Sequence, residues 1–353
     1  MSRSSYFDKL TTGVTLTKYI LVEQQSNPEK FGDLSRLMNA IQIGVKALSN
    51  LVRKSGFSQI LGPRGSWYSQ YYEQKLDQLA HELLVNTLVS SFSTCVLVSG
   101  EEEDVIIVEK DKQKSTGPAS RRDVLDQSGR DVVAAGYALY GSATVFVMSA
   151  GNGVHEFILD PTIGEFILTS YSMRIPSAGR MYSINEGYSK YWYAPIQRYV
   201  RSLKYPKDGK DPYSGRYIGA MVADVHRTLK YGGIFMYPAT KDCPRGKLRL
   251  MYECIPMAFL VEQAGGLAVT NPAGSLVNVL EVNAGSSVHQ RIPVFMGSRG
   301  NVEEMIACFQ CVMNGDCDDD DGGGGGSDGG GGSGRDGGGG SDGGDRWGID
   351  RKK

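Results

Sequence analysis

The chain has 353 residues, with 38 Lys and Arg against 39 Asp and Glu and a hydrophobic content of 41%. A net charge of −1 offers no basic footprint for nucleic acid, and no apolar run approaches the roughly 18 residues of a membrane span. The length suffices for one large domain or two packed ones. The start MSRSSYFDKLTTG lacks the apolar centre of a secretory signal, so a cytoplasmic setting with reduced thiols is expected.

In chain order, DLSRLMNAIQIGVKALSNLVRKSG comes first. It sets Leu34, Leu37, Met38, Ile41, Val45, Leu48 and Val52 on one helical face. Asp33 reads as its N-cap and Gly56 as its stop. A second amphipathic helix lies in EQKLDQLAHELLVNTLVSS. Strand-like runs follow at 95–99, 105–109, 132–139, 144–148, 154–159 and 165–169, and DPTIG (160–164) turns the last two into a hairpin. Beyond about residue 173, helices and strands alternate, which implies a second α/β layer stack. The expected division is 1–173, 174–315 and a Gly/Asp-rich tail at 316–353 with almost nothing to bury. Cys308 and Cys311 share the helical pattern NVEEMIACFQCVM and read as packing rather than as a metal or redox pair.

Chemistry concentrates in the second half. SINEGYSKYWY supplies Asn185 and Tyr188, SGRYIGAM supplies Arg216 and Tyr217, and GIFMYP supplies Tyr237. GKLRLMYE supplies Lys247, Arg249 and Glu253. Amide, phenol, guanidinium and ammonium donors together bind a phosphate dianion and sugar hydroxyls. As a strand, KLRLM places Lys247, Arg249 and Met251 on one face and Leu248 and Leu250 on the other. On spacing alone a solvated strand face is the commoner reading, because exposed Lys and Arg on strands are usually just solvated.

VAAGYALYGSAT, LDPTIGEFIL, YSINEGYSK, MVADVHRTLKYGGIFMYPA, GKLRLMYECIPMAFLVEQAGGLA and HQRIPVFMGS resemble eukaryotic fructose-1,6-bisphosphatase over about residues 12 to 313. The resemblance implies a layered α/β fold of two packed subdomains, a homotetramer, and Mg²⁺-dependent removal of the 1-phosphate of fructose 1,6-bisphosphate in gluconeogenesis. By resemblance, Asn185, Tyr188, Tyr217 and Tyr237 hold the 6-phosphate and Arg216 reaches the neighbouring subunit's pocket. Lys247 contacts the sugar, Arg249 faces the 1-phosphate and Met221 lines the site. Asp77 and Glu101 match the acidic pair that activates water, and Glu101 and Glu253 match metal ligands. Gly32, Asp33 and Ser35 match half of an AMP site at a helix start, where simple capping is the other reading.

The chain departs from that pattern where CVLVSGEEEDVIIVE runs into KDKQKSTGP. The family continues there to Asp-Pro-Leu-Asp-Gly-Ser-Ser, whose carboxylates grip cations and whose backbone N–H groups cradle phosphate. That motif does not follow Glu109. About thirty family residues, and at least two strands of the typical 5–6 residues, are expected to be deleted from the N-terminal sheet. Gly100 stands at a glutamate position and Tyr71 at an aspartate position. Asp123 and Asp126 in DVLDQS imitate the lost pair and read as a charged loop. The resulting expectation is weakened Mg²⁺ binding and impaired catalysis. The alternative is a non-catalytic sugar-phosphate-binding or regulatory subunit assembling with an active paralogue.

Overall fold

The computed structural model describes residues 13–55, 68–109, 119–207, 209–271 and 276–314. The 316–353 tail and Gly56 lie outside them. Three helices come first: α1 (Leu16–Ser26), α2 (Pro28–Ser55) and α3 (Tyr68–Val89). The expected apolar face of α2 is real, with Met38, Val45 and Leu48 buried, though Val52 emerges into solvent. Gly44 lets α3 approach, since a Cβ there would stand 2.9 Å from Leu84.

The start of α2 corrects the reading of Asp33 as a cap. The helix begins at Pro28, whose fixed φ and missing N–H suit a first helical position, and Phe31 N–H already donates to the Asn27 carbonyl. Gly32, Asp33 and Ser35 are therefore interior to the helix, where backbone N–H groups are committed to preceding carbonyls. The Ser35 hydroxyl donates back to Phe31 O at 2.6 Å and is buried. A phosphate site built on free N–H groups at a helix start does not form there.

A short antiparallel pair, β1 (Val96–Leu97) and β2 (Ile106–Ile107), follows α3. After a one-turn helix α4 (Arg122–Leu125) comes an antiparallel meander of β3 (Ala135–Tyr140), β4 (Thr144–Ser149), β5 (Val154–Asp160) and β6 (Glu165–Met173). The strand expected from 132 starts only at Ala135, because Ser128 caps a 3₁₀ turn over Gly129–Asp131. The Asp160 carboxylate accepts the Thr162 N–H at 2.8 Å and Gly164 takes φ +68°, closing the expected hairpin.

The second half comprises β7 (Met181–Ser183), α5 (Ala194–Lys204), β8 (Ser214–Gly215), α6 (Met221–Tyr231), β9 (Ile234–Tyr237) and β10 (Leu248–Arg249). It continues with α7 (Ile255–Gln263), β11 (Leu267–Thr270), β12 (Val277–Asn278), β13 (Arg291–Ile292), β14 (Val294–Gly297) and α8 (Arg299–Asn314). Six of these strands form one sheet in the order β12-β11-β14-β9-β7-β8. Within it β7 runs parallel to both β8 and β9. Gly232 and Gly233 end α6 at φ +76° and +102°, and a Cβ on Gly233 would fall 2.1 Å from Met181 O, so only glycine lets β9 enter beside β7. The main core joins Tyr137, Val147 and Val154 to Val225, Leu260 and Val294.

The polar face expected over Lys247–Met251 stops short. The strand ends at Arg249, and Leu250–Cys254 form a π-helical turn that turns Leu250 fully inward. Cys308 is free, with its thiol 3.9 Å from Pro195 O, as a packed cysteine should be. Cys311, in contrast, is disulfide-bonded, against the expectation of reduced thiols throughout.

Candidate functional site

Three parallel strands set up the site. The chain leaves the C-terminal ends of β7, β8 and β9 at Asn185, at Arg216 and Tyr217, and at Tyr237 respectively. Carboxyl ends of parallel strands are where α/β sheets bind ligands, because the loops there converge on one crevice. Asn185 caps a 3₁₀ turn over Glu186–Tyr191 by accepting the Gly187 N–H at 3.1 Å, and that turn presents Tyr188. Lys247 enters just ahead of β10, its ammonium 5.1 Å from the centre of the Tyr188 ring.

The electrostatics show how close these groups lie. Tyr237 and then Tyr188 raise the Lys247 pKa. Burial raises the Tyr217 phenol, with Tyr237 and Asp224 adding to it, while the Asn185 amide works the other way. Five of the expected residues, from four separate segments, thus share one patch: Asn185, Tyr188, Tyr217, Tyr237 and Lys247. Phenol, amide and ammonium groups all carry donors of the kind that can hydrogen-bond an anion.

Arg216 sits beside the patch, exposed, with its guanidinium donating to Gly215 O at 3.1 Å. Its loop is held by Asp224, a residue the sequence reading passed over. Asp224 is fully buried and accepts the Ile218 N–H at 3.1 Å, the Gly219 N–H at 3.3 Å and Arg227 Nη2 at 2.6 Å. Arg227 Nη2 also donates to Arg216 O at 2.7 Å. Met221 opens α6 and packs onto the main core.

A second group of the expected residues gathers around Tyr252, also missed in the sequence. Arg249 lies 5.6 Å over its ring, and Arg249, Glu253, Arg291 and Glu101 all act on its phenol, whose pKa burial raises. The Tyr252 hydroxyl hydrogen-bonds His289 Nδ1 at 2.9 Å, and His289 Nε2 reaches Glu103 O at 3.0 Å, which ties the acidic turn to this end of the molecule. Gly100 packs against the ring: a Cβ there would be 3.3 Å from it. Arg249 Nε is buried without a hydrogen-bond partner.

The carboxylates do not make a cation site. Glu253 accepts the Arg249 backbone N–H, Asp77 and Glu101 are exposed on α3 and on the β1–β2 turn, and Glu102 is bound to His81 at 2.9 Å. Among the described residues no three His, Cys, Asp or Glu side chains stand close enough to hold a metal ion. Mg²⁺ requires near-octahedral oxygen ligation, which this donor set does not supply. Asp123 accepts the Ser120 N–H at 2.7 Å and Asp126 ends α4, so the imitation motif is engaged locally.

The comparisons fit this geometry. A family model described as "Fructose-1-6-bisphosphatase, C-terminal domain" matches residues 175–310, and its N-terminal counterpart matches 14–117 and 112–171. The chain belongs to the fructose-1,6-bisphosphatase family. It is 43% identical over 332 residues to fructose-1,6-bisphosphatase isozyme 2 of Bos taurus, covering 85% of this chain and 96% of that one. The cytosolic fructose-1,6-bisphosphatase of Oryza sativa subsp. indica is 44% identical over 328 residues, covering 83% and 94%. A crystal structure of the Leishmania major enzyme in holo form superposes with a TM-score of 0.76 at 40% identity, over 84% of this chain and 99% of that one. These relatives are phosphatases of a sugar bisphosphate by name. Among the described residues, no helix is long and apolar enough to cross a membrane.

Proposed function

We propose that this chain binds a sugar phosphate, fructose 6-phosphate or fructose 1,6-bisphosphate, in the Asn185–Tyr188–Tyr217–Tyr237–Lys247 patch, and that its hydrolysis of the bisphosphate is impaired. The observation that carries the reading is the convergence of those five donors at the ends of β7, β8 and β9. The exposed Arg216 supplies further positive charge beside it. The family reaction is hydrolysis of fructose 1,6-bisphosphate in gluconeogenesis with Mg²⁺ as cofactor. The carboxylates left here, Asp77, Glu101 and Glu253, do not fit such an ion.

The lengths of the matches support a missing segment. The bovine match spans 332 positions, whereas 85% of 353 residues is about 300; a gap of about 30 positions is room for two strands of typical length and their turns. The two stretches matched by the N-terminal family model also meet at 112–117, inside KDKQKSTGP. On this reading the division into subdomains 1–173 and 174–315 is retained, with the first incomplete. A cytoplasmic tetramer, by analogy with the family, is the setting in which the chain works.

The test is paired. Calorimetric titration with fructose 6-phosphate should show saturable binding, and a phosphate-release assay with fructose 1,6-bisphosphate and Mg²⁺ should show little turnover. Turnover near the roughly 10 s⁻¹ typical of enzymes would overturn impaired catalysis. No binding would overturn the reading of the patch. A second reading, a regulatory subunit lending Arg216 to an active paralogue, is favoured by one observation: the Arg216 guanidinium is exposed and, among the described residues, bonds only its neighbour's carbonyl. Arg216→Ala that leaves mixed tetramers fully active would end it.

A further inference from the structure

A cavity of about 480 Å³ opens between the turn that precedes β10 and the loop that leads into β13. Its wall carries Arg245, Ser286, Ser287, His289, Gln290 and Arg291, and no acidic residue. It shares His289 and Arg291 with the group around Tyr252 and no residue with the five-donor patch.

Hydrogen bonds hold both sides of the cavity in place. Gly246 N–H donates to Cys243 O at 3.0 Å and Gly246 takes φ +72°, which closes the turn that carries Arg245. A Cβ on Gly246 would fall 2.5 Å from the Ile292 carbonyl, so glycine lets this turn press against β13. On the other side, Arg121 donates to Ser286 O at 2.8 Å and Leu250 N–H donates to Gln290 O at 2.7 Å. His289 is tied at both ring nitrogens. A carbonyl can only accept, so Nε2 carries the proton toward Glu103 O, and Nδ1 accepts the Tyr252 hydroxyl. The imidazole is therefore neutral, and the charge on the cavity is that of two guanidiniums.

Those two charges lack the partners that other arginines have. Arg121, Arg130, Arg180 and Arg227 each have a carboxylate within 3.3 Å, whereas Arg245 and Arg291 form no ion pair among the described residues. Arg291 commits Nη1 to Lys247 O, and Arg245 has no hydrogen bond among the described residues. Ser287 Oγ accepts the His289 N–H at 3.2 Å, which leaves its O–H to donate; the Ser286 hydroxyl has no partner among the described residues. Two guanidinium forks and two hydroxyls, each with hydrogens to donate, thus line one space without a counter-charge. Like charges held in this way attract an anion, and the arginine fork matches phosphate oxygens. The volume is that of a small-molecule site, so a body beyond the phosphate also fits.

We propose that this cavity binds the phosphate group of a small phosphorylated molecule, with Arg245, Arg291, Ser286 and Ser287 donating to its oxygens. The site is separate from the five-donor patch and stands whether or not that patch holds a sugar phosphate. Its test uses the full chain, with inorganic phosphate as probe at fixed ionic strength and the His289 ring resonances as a local readout. Phosphate should shift them saturably, with a Kd of about 1 mM or less. Arg245 is exposed, so Arg245→Ala should keep the fold and weaken phosphate about tenfold, as for a lost charge-assisted hydrogen bond, while Ser287→Ala should weaken it severalfold. Lys247→Ala, which alters the five-donor patch, should leave the His289 response in place. Methyl phosphate should bind no more weakly than phosphate, since the cavity has room for a body. The proposal is overturned if the shift is still linear at ten times that concentration, if Arg245→Ala binds phosphate as the wild type does, or if Lys247→Ala abolishes the response. Exclusion of methyl phosphate would overturn the assignment to a phosphorylated molecule. Should Arg245→Ala fail to fold, Arg245→Lys decides in its place: it keeps the charge but not the fork and should bind severalfold more weakly.

Discussion

Replacing Asp224 with Ala should do more damage than any substitution in the sugar-phosphate patch itself. The wild-type carboxylate is fully buried and holds two backbone N–H groups, of Ile218 and Gly219, together with the Arg227 guanidinium. Alanine leaves Arg227, itself only 18% exposed, without its counter-charge and both amides without an acceptor. Breaking a buried pair by removing one partner costs about 3–5 kcal/mol, and each orphaned amide costs about 1 kcal/mol or more, part of which the chain recovers by relaxing. A net loss of about 3 kcal/mol corresponds to a fall in Tm of roughly 5 °C for a folded unit of about 300 residues. The same change frees the loop that carries Arg216 and Tyr217, so affinity for fructose 6-phosphate should drop by about tenfold, the equivalent of one lost hydrogen bond. Scanning calorimetry and titration of the same sample check both numbers. The double variant Asp224→Ala with Arg227→Met should be more stable than Asp224→Ala alone, because no unpaired charge remains. A melting temperature within about a degree of the wild type for Asp224→Ala, or strict additivity in the double variant, would refute the idea of a buried ionic brace.

Three further outcomes are expected. Lys247 is exposed and its ammonium contacts only the Tyr188 ring among the described residues, so Lys247→Ala should weaken fructose 6-phosphate binding about tenfold to a hundredfold, as for a charge-assisted hydrogen bond, with Tm lowered by no more than about 2 °C; a larger Tm shift would contradict it. His155 is fully buried in β5, and burial lowers its pKa from 6.5 to about 4. The unfolded chain takes up that proton below about pH 6.5 and the fold only below about pH 4. Stability is therefore full above the upper value, declines as pH falls through the interval and levels off below it, and Tm measured against pH should be flatter in His155→Asn. Lys230 covers the buried Glu156 carboxylate, so Lys230→Met should cost about 3–5 kcal/mol by urea denaturation, most of it restored by adding Glu156→Gln.

Much of this molecule is set by patterns local to the chain. The apolar face of α2 needs only a period of 3.6, and the turn at 160–164 needs only an aspartate and a glycine, so both are readable from the residues alone. The donors Asn185, Tyr188, Tyr217, Tyr237 and Lys247 were nameable through shared phrases with a known family. Their convergence was not, since it depends on β7, β8 and β9 lying side by side and parallel although they are far apart in sequence. Local propensity also misjudged two points. Asp33 is a good cap, but Pro28 starts the helix earlier. Alternation in KLRLM looks like a strand, but a π-helical turn takes over at Leu250, although the Leu250 N–H still reaches Gln290 O at 2.7 Å.

What the sequence by itself determined was the inventory: family, element types, and the donor and carboxylate side chains available to a site. Only the tertiary structure decided their company. It gathered the phenols around Lys247, drew Glu253 onto the Arg249 backbone and buried Asp224 under the Arg216 loop. The reason is physical. Hydrogen bonds, ion pairs and cavities act over a few ångströms of space, and distances in space between remote residues are fixed by packing, not by position along the chain.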